Sequence, residues 1–123
     1  MSITLNHTIV PAHDKEASAK HFAHLMGVKY EGRMGPFAQV RVNDTLTLDF
    51  DDRRSEDFEK HHYAFHVSDE EFDDIFGRIK AEGIRYGSLP WSLEDGQINN
   101  RLGGRGVYFR DLDGHVLELL TRT

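Results

Sequence analysis

The sequence predicts an α+β fold of two βαβββ repeats that form curved mixed sheets. Three observations predict it. Gly27-Val28-Lys29-Tyr30 recurs 56 positions later as Gly83-Ile84-Arg85-Tyr86. Each copy follows a helical pattern, and each helical pattern follows a strand-like segment that carries a histidine: His7 in LNHTIV and His62 in HHYAFHV, 55 positions apart. The two spacings differ by one residue, so the order of strand, helix and turn is kept as well as the local identity. A period of this size is the mark of a duplicated supersecondary unit.

The elements follow in order. A strand is expected over 3–12. Asp14 can cap a first helix whose apolar stripe is Ala19, Phe22, Leu25 and Met26, with Gly27 ending it. Strands follow over 28–33 and 37–42, with Gly35-Pro36 turning between them, and Asn43-Asp44 turns the chain into a strand over 45–51. In that last strand Leu46, Leu48 and Phe50 alternate with Thr45, Thr47, Asp49 and Asp51, the period-two pattern of a half-buried strand. The second repeat begins with a strand over 61–67. Ser68 and Glu71 form a capping box, and Phe72, Ile75, Phe76 and Ile79 fall on one helical face before Gly83. Strands over 84–88, 106–110 and 115–120 complete the unit, and 90–105 reads as a mobile loop inserted in this repeat alone. The chain is thus read as a single domain of residues 1–123, made of repeat 1 (about 1–55) and repeat 2 (about 60–123), with the mixed-charge run 51–60 as a solvated linker.

Composition narrows the function classes. The chain has 123 residues, 38% hydrophobic and 29% charged, with a formal net charge of −6. No basic block is present to bind nucleic acid or an anionic membrane. With no cysteine, thiolate metal sites, disulfides and thiol nucleophiles are excluded. The first residues lack the basic-then-apolar pattern of a signal peptide, and no apolar run reaches the ~20 residues of a membrane span, so a cytoplasmic location is expected.

The eight histidines carry the interest. Each repeat has a histidine on its first strand and a carboxylate on its last: His7 with Asp49, His62 with Glu118. Two imidazoles and one or two carboxylates suit one divalent transition metal, whether Fe, Mn, Zn, Ni or Co, and leave positions open for substrate oxygens. Glu118 lies between Val116 and Leu120 on its strand face, where a carboxylate is costly unless paired or metal-bound. His66 shares the face of His62 and is a candidate for proton transfer or substrate binding. His61 points the other way, and His13, His21, His24 and His115 read as turn, helix-surface or outer-face residues.

LNHTIV, HHYAFHVSD and the closing VYFRDLDGHVLEL resemble the vicinal oxygen chelate superfamily, which comprises glyoxalases, bleomycin-resistance proteins and extradiol dioxygenases. The resemblance spans almost the whole chain. It implies glyoxalase-like half-barrels completed across a homodimer, with His7, His62 and Glu118 as metal ligands and Asp49 as a weaker fourth. In the paired chains, His7 would meet His62 and Glu118 of the other subunit. Tyr108, ten positions before Glu118, matches a tyrosine that serves as an acid/base or substrate-contacting group in related branches. Leu112 stands where extradiol enzymes have proline, and Asn99, Asn100 and Arg101 stand where they have a catalytic histidine; both departures count against ring cleavage.

The leading expectation is therefore a metal-dependent enzyme that binds vicinal oxygens of a small molecule, with glyoxalase- or epimerase-like lyase or isomerase chemistry through a stabilised oxyanion. The alternatives are an Fe(II) extradiol-type dioxygenase and a non-catalytic drug- or metabolite-binding dimer of the bleomycin-resistance type. Neither nucleic acid nor membrane is expected as a partner.

Overall fold

The computed structural model describes residues 2–123. The chain divides between Glu59 and Lys60 into two compact units. The first contains β1 (His7–Pro11), α1 (Lys15–Met26), β2 (Lys29–Met34), β3 (Phe37–Arg41) and β4 (Thr47–Asp51). The second contains β5 (His62–His66), α2 (Asp69–Ala81), β6 (Tyr86–Gly87), β7 (Gly106–Arg110) and β8 (Val116–Leu120), with a short 3-10 turn at Arg101–Gly103. Each unit is βαβββ. No helix among the described residues is long and apolar enough to cross a membrane.

Each unit forms one four-stranded mixed sheet, in the orders β1-β4-β3-β2 and β5-β8-β7-β6. The first and last strands of a unit are parallel neighbours, joined through the helix and the two intervening strands, because a parallel pair cannot be closed by a tight turn. The registers of the two units correspond. His7 pairs with Thr47 and Ile9 with Asp49; His62 pairs with Val116 and Ala64 with Glu118. The histidine of the first strand thus sits one same-face step from the carboxylate of the last in both units.

Local chemistry explains why the elements stop and start here. Asp14 accepts the Ala17 N–H at 3.1 Å at the start of α1, and Gly27 ends that helix at φ 70°, a left-handed conformation that glycine adopts without a Cβ penalty. Ser68 and Glu71 close a full capping box on α2, an arrangement whose loss costs about 1 kcal/mol. Phe72, Ile75 and Ile79 are buried on the sheet side of α2, each contributing roughly 1.5–3 kcal/mol by leaving water. Phe76, the fourth residue of the predicted stripe, is only half-buried and packs edge-on against Tyr86 with ring centroids 4.9 Å apart. In the first unit Ala19, Phe22, Ala23, Leu25 and Met26 of α1 are buried, as are Val10, Ala38, Val40, Leu48 and Phe50 of the strands. In the second, Val107, Phe109, Leu117 and Leu119 are buried on the corresponding strands.

The inserted segment is tied down by its own bonds. Leu89 bridges Ser92, and Asn99 pairs with Gly106 in both directions at 2.9 and 3.0 Å. Asp95 accepts the backbone and hydroxyl of Ser88, and Arg85 and Arg110 both reach Glu94. These contacts account for a loop that loop-forming composition alone reads as mobile. Gly87 is required by close approach: a Cβ there would lie 1.7 Å from the Ser92 carbonyl oxygen, against backbone that cannot step aside. His115 also departs from its sequence reading. It is fully buried, and its Nδ1 accepts the His61 N–H at 2.8 Å at the start of β5.

Two outcomes test this packing. Gly87→Ala should lower unfolding stability by about 1–3 kcal/mol, the usual scale of overpacking, and a thermal melt matching the parent protein would refute the close approach. Tyr63 shares a hydrogen bond with His61 Nδ1 at 2.7 Å, and burial, aided by the charge of Asp111, raises its pKa from 10.0 to about 12. Because the folded value lies above the unfolded one, its share of stability is full below pH 10 and is lost as pH rises through about 12. Spectrophotometric titration should show one phenol ionising near pH 12 that is missing from Tyr63→Phe.

Candidate functional site

In each sheet, alternate side chains point to the helix or away from it. The face away from α2 carries His62, Ala64 and His66 from β5, Glu118 between Val116 and Leu120 from β8, and Tyr108 from β7, directly opposite Glu118. His62 Nε2–H donates to Glu118 Oε1 at 3.0 Å. Glu118 is 13% exposed and His62 45%, so the carboxylate is largely withdrawn from water while the imidazole keeps solvent access. The rings of His62 and Tyr108 meet edge-on, with centroids 5.9 Å apart.

Tyr108 is 1% exposed. Its hydroxyl accepts from Arg101 Nη1 at 2.9 Å. Burial raises the phenol's pKa most, the hydrogen bond and charge of Glu118 add to this, and the Arg101 guanidinium opposes it. Asn99, Arg101, Leu102, Arg105 and Arg122 surround a pocket of about 50 Å³ on the Glu118 side of this group. Arg105 is committed elsewhere: it pairs with Asp73 at 2.7 Å and Asp69 at 3.2 Å, and its guanidinium lies over the Phe72 ring.

His66 Nε2–H donates to the Thr121 carbonyl at 3.2 Å and borders a separate open groove with Ser68, Asp69 and Arg122. It shares the His62 face as the sequence predicts, but one ring nitrogen is held by backbone.

In the first unit the matching face carries His7 on β1 and Asp49 on β4. His7 Nδ1–H donates to Asn6 Oδ1 at 2.8 Å, which leaves the lone pair on Nε2, the form in which imidazole ligates a metal. Asp49 is buried, and its Oδ1 accepts from Gln39 Nε2 at 2.9 Å, directly across the β3–β4 pair. That bond occupies one carboxylate oxygen and leaves the other.

The donors brought together within one unit are therefore His62 and Glu118. Two donors at right angles on one cation, each ~2.1 Å from it, stand about 3.0 Å apart. The observed 3.0 Å separation is that of a hydrogen bond and equals the spacing that two such donors would keep on one cation. A second donor cluster escaped the sequence reading: Asp111, Asp113 and His115 bring one ligand-type atom each within 4.8 Å of one another. Asp111 Oδ1 accepts the N–H groups of Asp113 and His115, each at 2.9 Å, so this oxygen closes the β7–β8 turn, and burial pushes the Asp111 pKa up. The repeated turn signal Asp111-Leu112-Asp113-Gly114 marks the place in the sequence but not the burial of His115.

No protein-family model matches the chain. The chain is 46% identical to the solved structure of Oxidase ChaP-H2, covering 100% of this chain and 96% of that one at a TM-score of 0.94. It is 28% identical over 121 residues to the Glutathione transferase FosA of Serratia marcescens, covering 94% of this chain and 79% of the relative. The lactoylglutathione lyase structure from Agrobacterium tumefaciens shares the fold at a TM-score of 0.72 and 17% identity, over 97% of this chain and 92% of that one. With its paired βαβββ units, its first-strand histidines and these relatives, the chain belongs to the vicinal oxygen chelate superfamily.

Proposed function

We propose that this protein is a metal-dependent oxidoreductase acting on a small organic molecule through two adjacent oxygens. The observation that carries the reading is the His62–Glu118 pair, 3.0 Å apart on the sheet face away from α2 and flanked by Tyr108. The direction of the chemistry is supported by the full-length similarity to a protein named an oxidase. Sequence motifs by themselves put lyase or isomerase chemistry first and dioxygenase chemistry second; both use the same donors, and neither is needed to explain the 46% identity to that oxidase.

His62 and Glu118 are two protein ligands in this reading, His7 of the partner subunit is the third, and Asp49 is a weaker fourth. The whole chain acts as one domain of two repeats and works as a homodimer in the cytoplasm. When bound, a divalent metal such as iron supplies Lewis acidity toward the substrate's oxygens and access to one-electron chemistry. The chain's own residues do the rest. Ala64, opposite Glu118 and next to His62 on the same face, is small enough to leave room above the ligand pair. Val116 and Leu120 flank the carboxylate with apolar surface that lowers the local dielectric and strengthens its pull on a cation. Tyr108 holds a proton at its hydroxyl beside Glu118, where it can be passed to or taken from a substrate oxygen. His66 is a second proton-transfer candidate, through the ring nitrogen not bonded to Thr121.

The non-catalytic binding reading is disfavoured by the same pair: a binder has no use for a largely buried glutamate aimed at an imidazole.

Two experiments decide. Protein purified without chelator should carry about one transition metal per chain by elemental analysis, and His62→Ala should weaken metal binding by more than ~10-fold, since even outer-shell changes register on that scale. A metal-free preparation that resists loading would end the reading. With Fe(II)-loaded protein in an oxygen electrode, a panel of catechols and hydroquinones should drive oxygen uptake that Glu118→Gln abolishes. Isomerisation of hemithioacetals with no oxygen consumed would return the assignment to the lyase class.

A further inference from the structure

We infer that Arg101 is a positioning residue for Glu118, acting through the Tyr108 hydroxyl and itself set by a clip built on Asn99 and Gly106. The inference rests on the proposed role of Glu118 as a metal ligand and adds the device that aims it.

Guanidinium has no acceptor, so the 2.9 Å bond between Arg101 Nη1 and Tyr108 can only run from arginine to hydroxyl. The hydroxyl's own hydrogen must then go elsewhere, and the residue directly opposite on β8 is Glu118. On its other side Glu118 accepts from His62. Glu118 is thus bonded to an imidazole on one side and faces a phenol across the β7–β8 pair on the other, and the direction of the phenol's proton is dictated by an arginine. Arg101 forms no ion pair among the described residues. In a chain of net charge −6, a guanidinium spent on a neutral hydroxyl is placed for direction.

Arg101 is in turn held from behind. Its backbone N–H donates to Asn99 Oδ1 at 3.2 Å, while Asn99 Nδ2 donates to the Ser88 carbonyl at 3.0 Å. The backbone of Asn99 is bonded to Gly106 in both directions, and the Arg101 carbonyl accepts the Gly104 N–H at 3.0 Å. Leu102 completes the turn at φ 56°, a left-handed conformation that a leucine adopts only when its surroundings impose it. Gly106 makes the clip possible: a Cβ there would lie 2.6 Å from Asn99 Oδ1 and 2.9 Å from Nδ2. Hydrogen bonds run from Gly106 to Asn99, from Arg101 to Asn99 and from Arg101 to Tyr108, and Tyr108 stands directly opposite Glu118.

Groups that orient a metal's ligands typically change metal affinity 10–100-fold when removed. The test is a Co²⁺ titration of the full chain, followed by visible absorption and paired with thermal melts. Arg101→Ala should weaken Co²⁺ binding about tenfold and shift the absorption bands, with little change in melting because the side chain is exposed. Arg101→Lys should restore part of the loss. Gly106→Ala should move affinity in the same direction by displacing Asn99. In a double-mutant cycle, Arg101→Ala combined with Tyr108→Phe should be no weaker than Tyr108→Phe alone. Additive losses, or unchanged affinity in Arg101→Ala, overturn the inference while leaving the metal reading intact. Failure of the parent protein to bind Co²⁺, or undiminished binding by Glu118→Gln, overturns the metal reading and the inference with it.

Discussion

The parallel pairing of the first and last strands of each unit is the constraint on which everything else rests. A parallel neighbour cannot follow by a hairpin, so the chain must leave through a helix and two strands before it returns. That detour separates His62 from Glu118 by more than fifty residues, yet the β5–β8 register puts Glu118 opposite Ala64, one same-face step from His62. Ladder hydrogen bonds fix the depth of both side chains at once. A one-residue slip would send Glu118 to the α2 side, among Phe72 and Ile75, so the site and the core are specified by the same register.

The two faces of the sheet divide the labour. Toward α2 the strands present Val107, Phe109, Leu117 and Leu119, all buried, and hydrophobic burial there supplies the stability. Away from α2 they present imidazole, phenol and carboxylate. A glutamate that is mostly withdrawn from water between Val116 and Leu120 is a liability for folding, partly offset by His62 and Tyr108. Such a group is retained where it serves binding or chemistry, which is the logic behind assigning it to a cation. Tyr108 serves both demands, since its ring is buried on the site's own face while its hydroxyl is bonded to Arg101.

The insertion between β6 and β7 adds a level of control. Asn99 replaces a strand partner at the start of β7, and the absence of a side chain at Gly106 admits its amide. The turn that follows, with Leu102 in a left-handed conformation, delivers Arg101 to Tyr108. Arg105 anchors the other end of the turn to α2 through Asp69 and Asp73. Loops that carry function are commonly braced in this way, by side-chain bonds to a rigid scaffold.

The amino-acid sequence by itself determined the repeat, both helices with their caps, the alternation that assigns strand faces, and the candidate status of His7, Asp49, His62 and Glu118. These are legible because they are local: a capping box spans four residues, an amphipathic stripe a dozen, and a duplicated motif announces its own period. Only the tertiary structure decided which distant groups meet. It joined His62 to Glu118, turned Nε2 of His66 toward backbone, and tied Asp49 to Gln39. It buried His115, which the sequence places on an outer face, and recruited Arg101, which had entered only as a departure from a family pattern. The reason is physical. Strand register, the depth of a turn and the aim of a guanidinium depend on hydrogen bonds between residues far apart in the chain, and no short-range pattern encodes those.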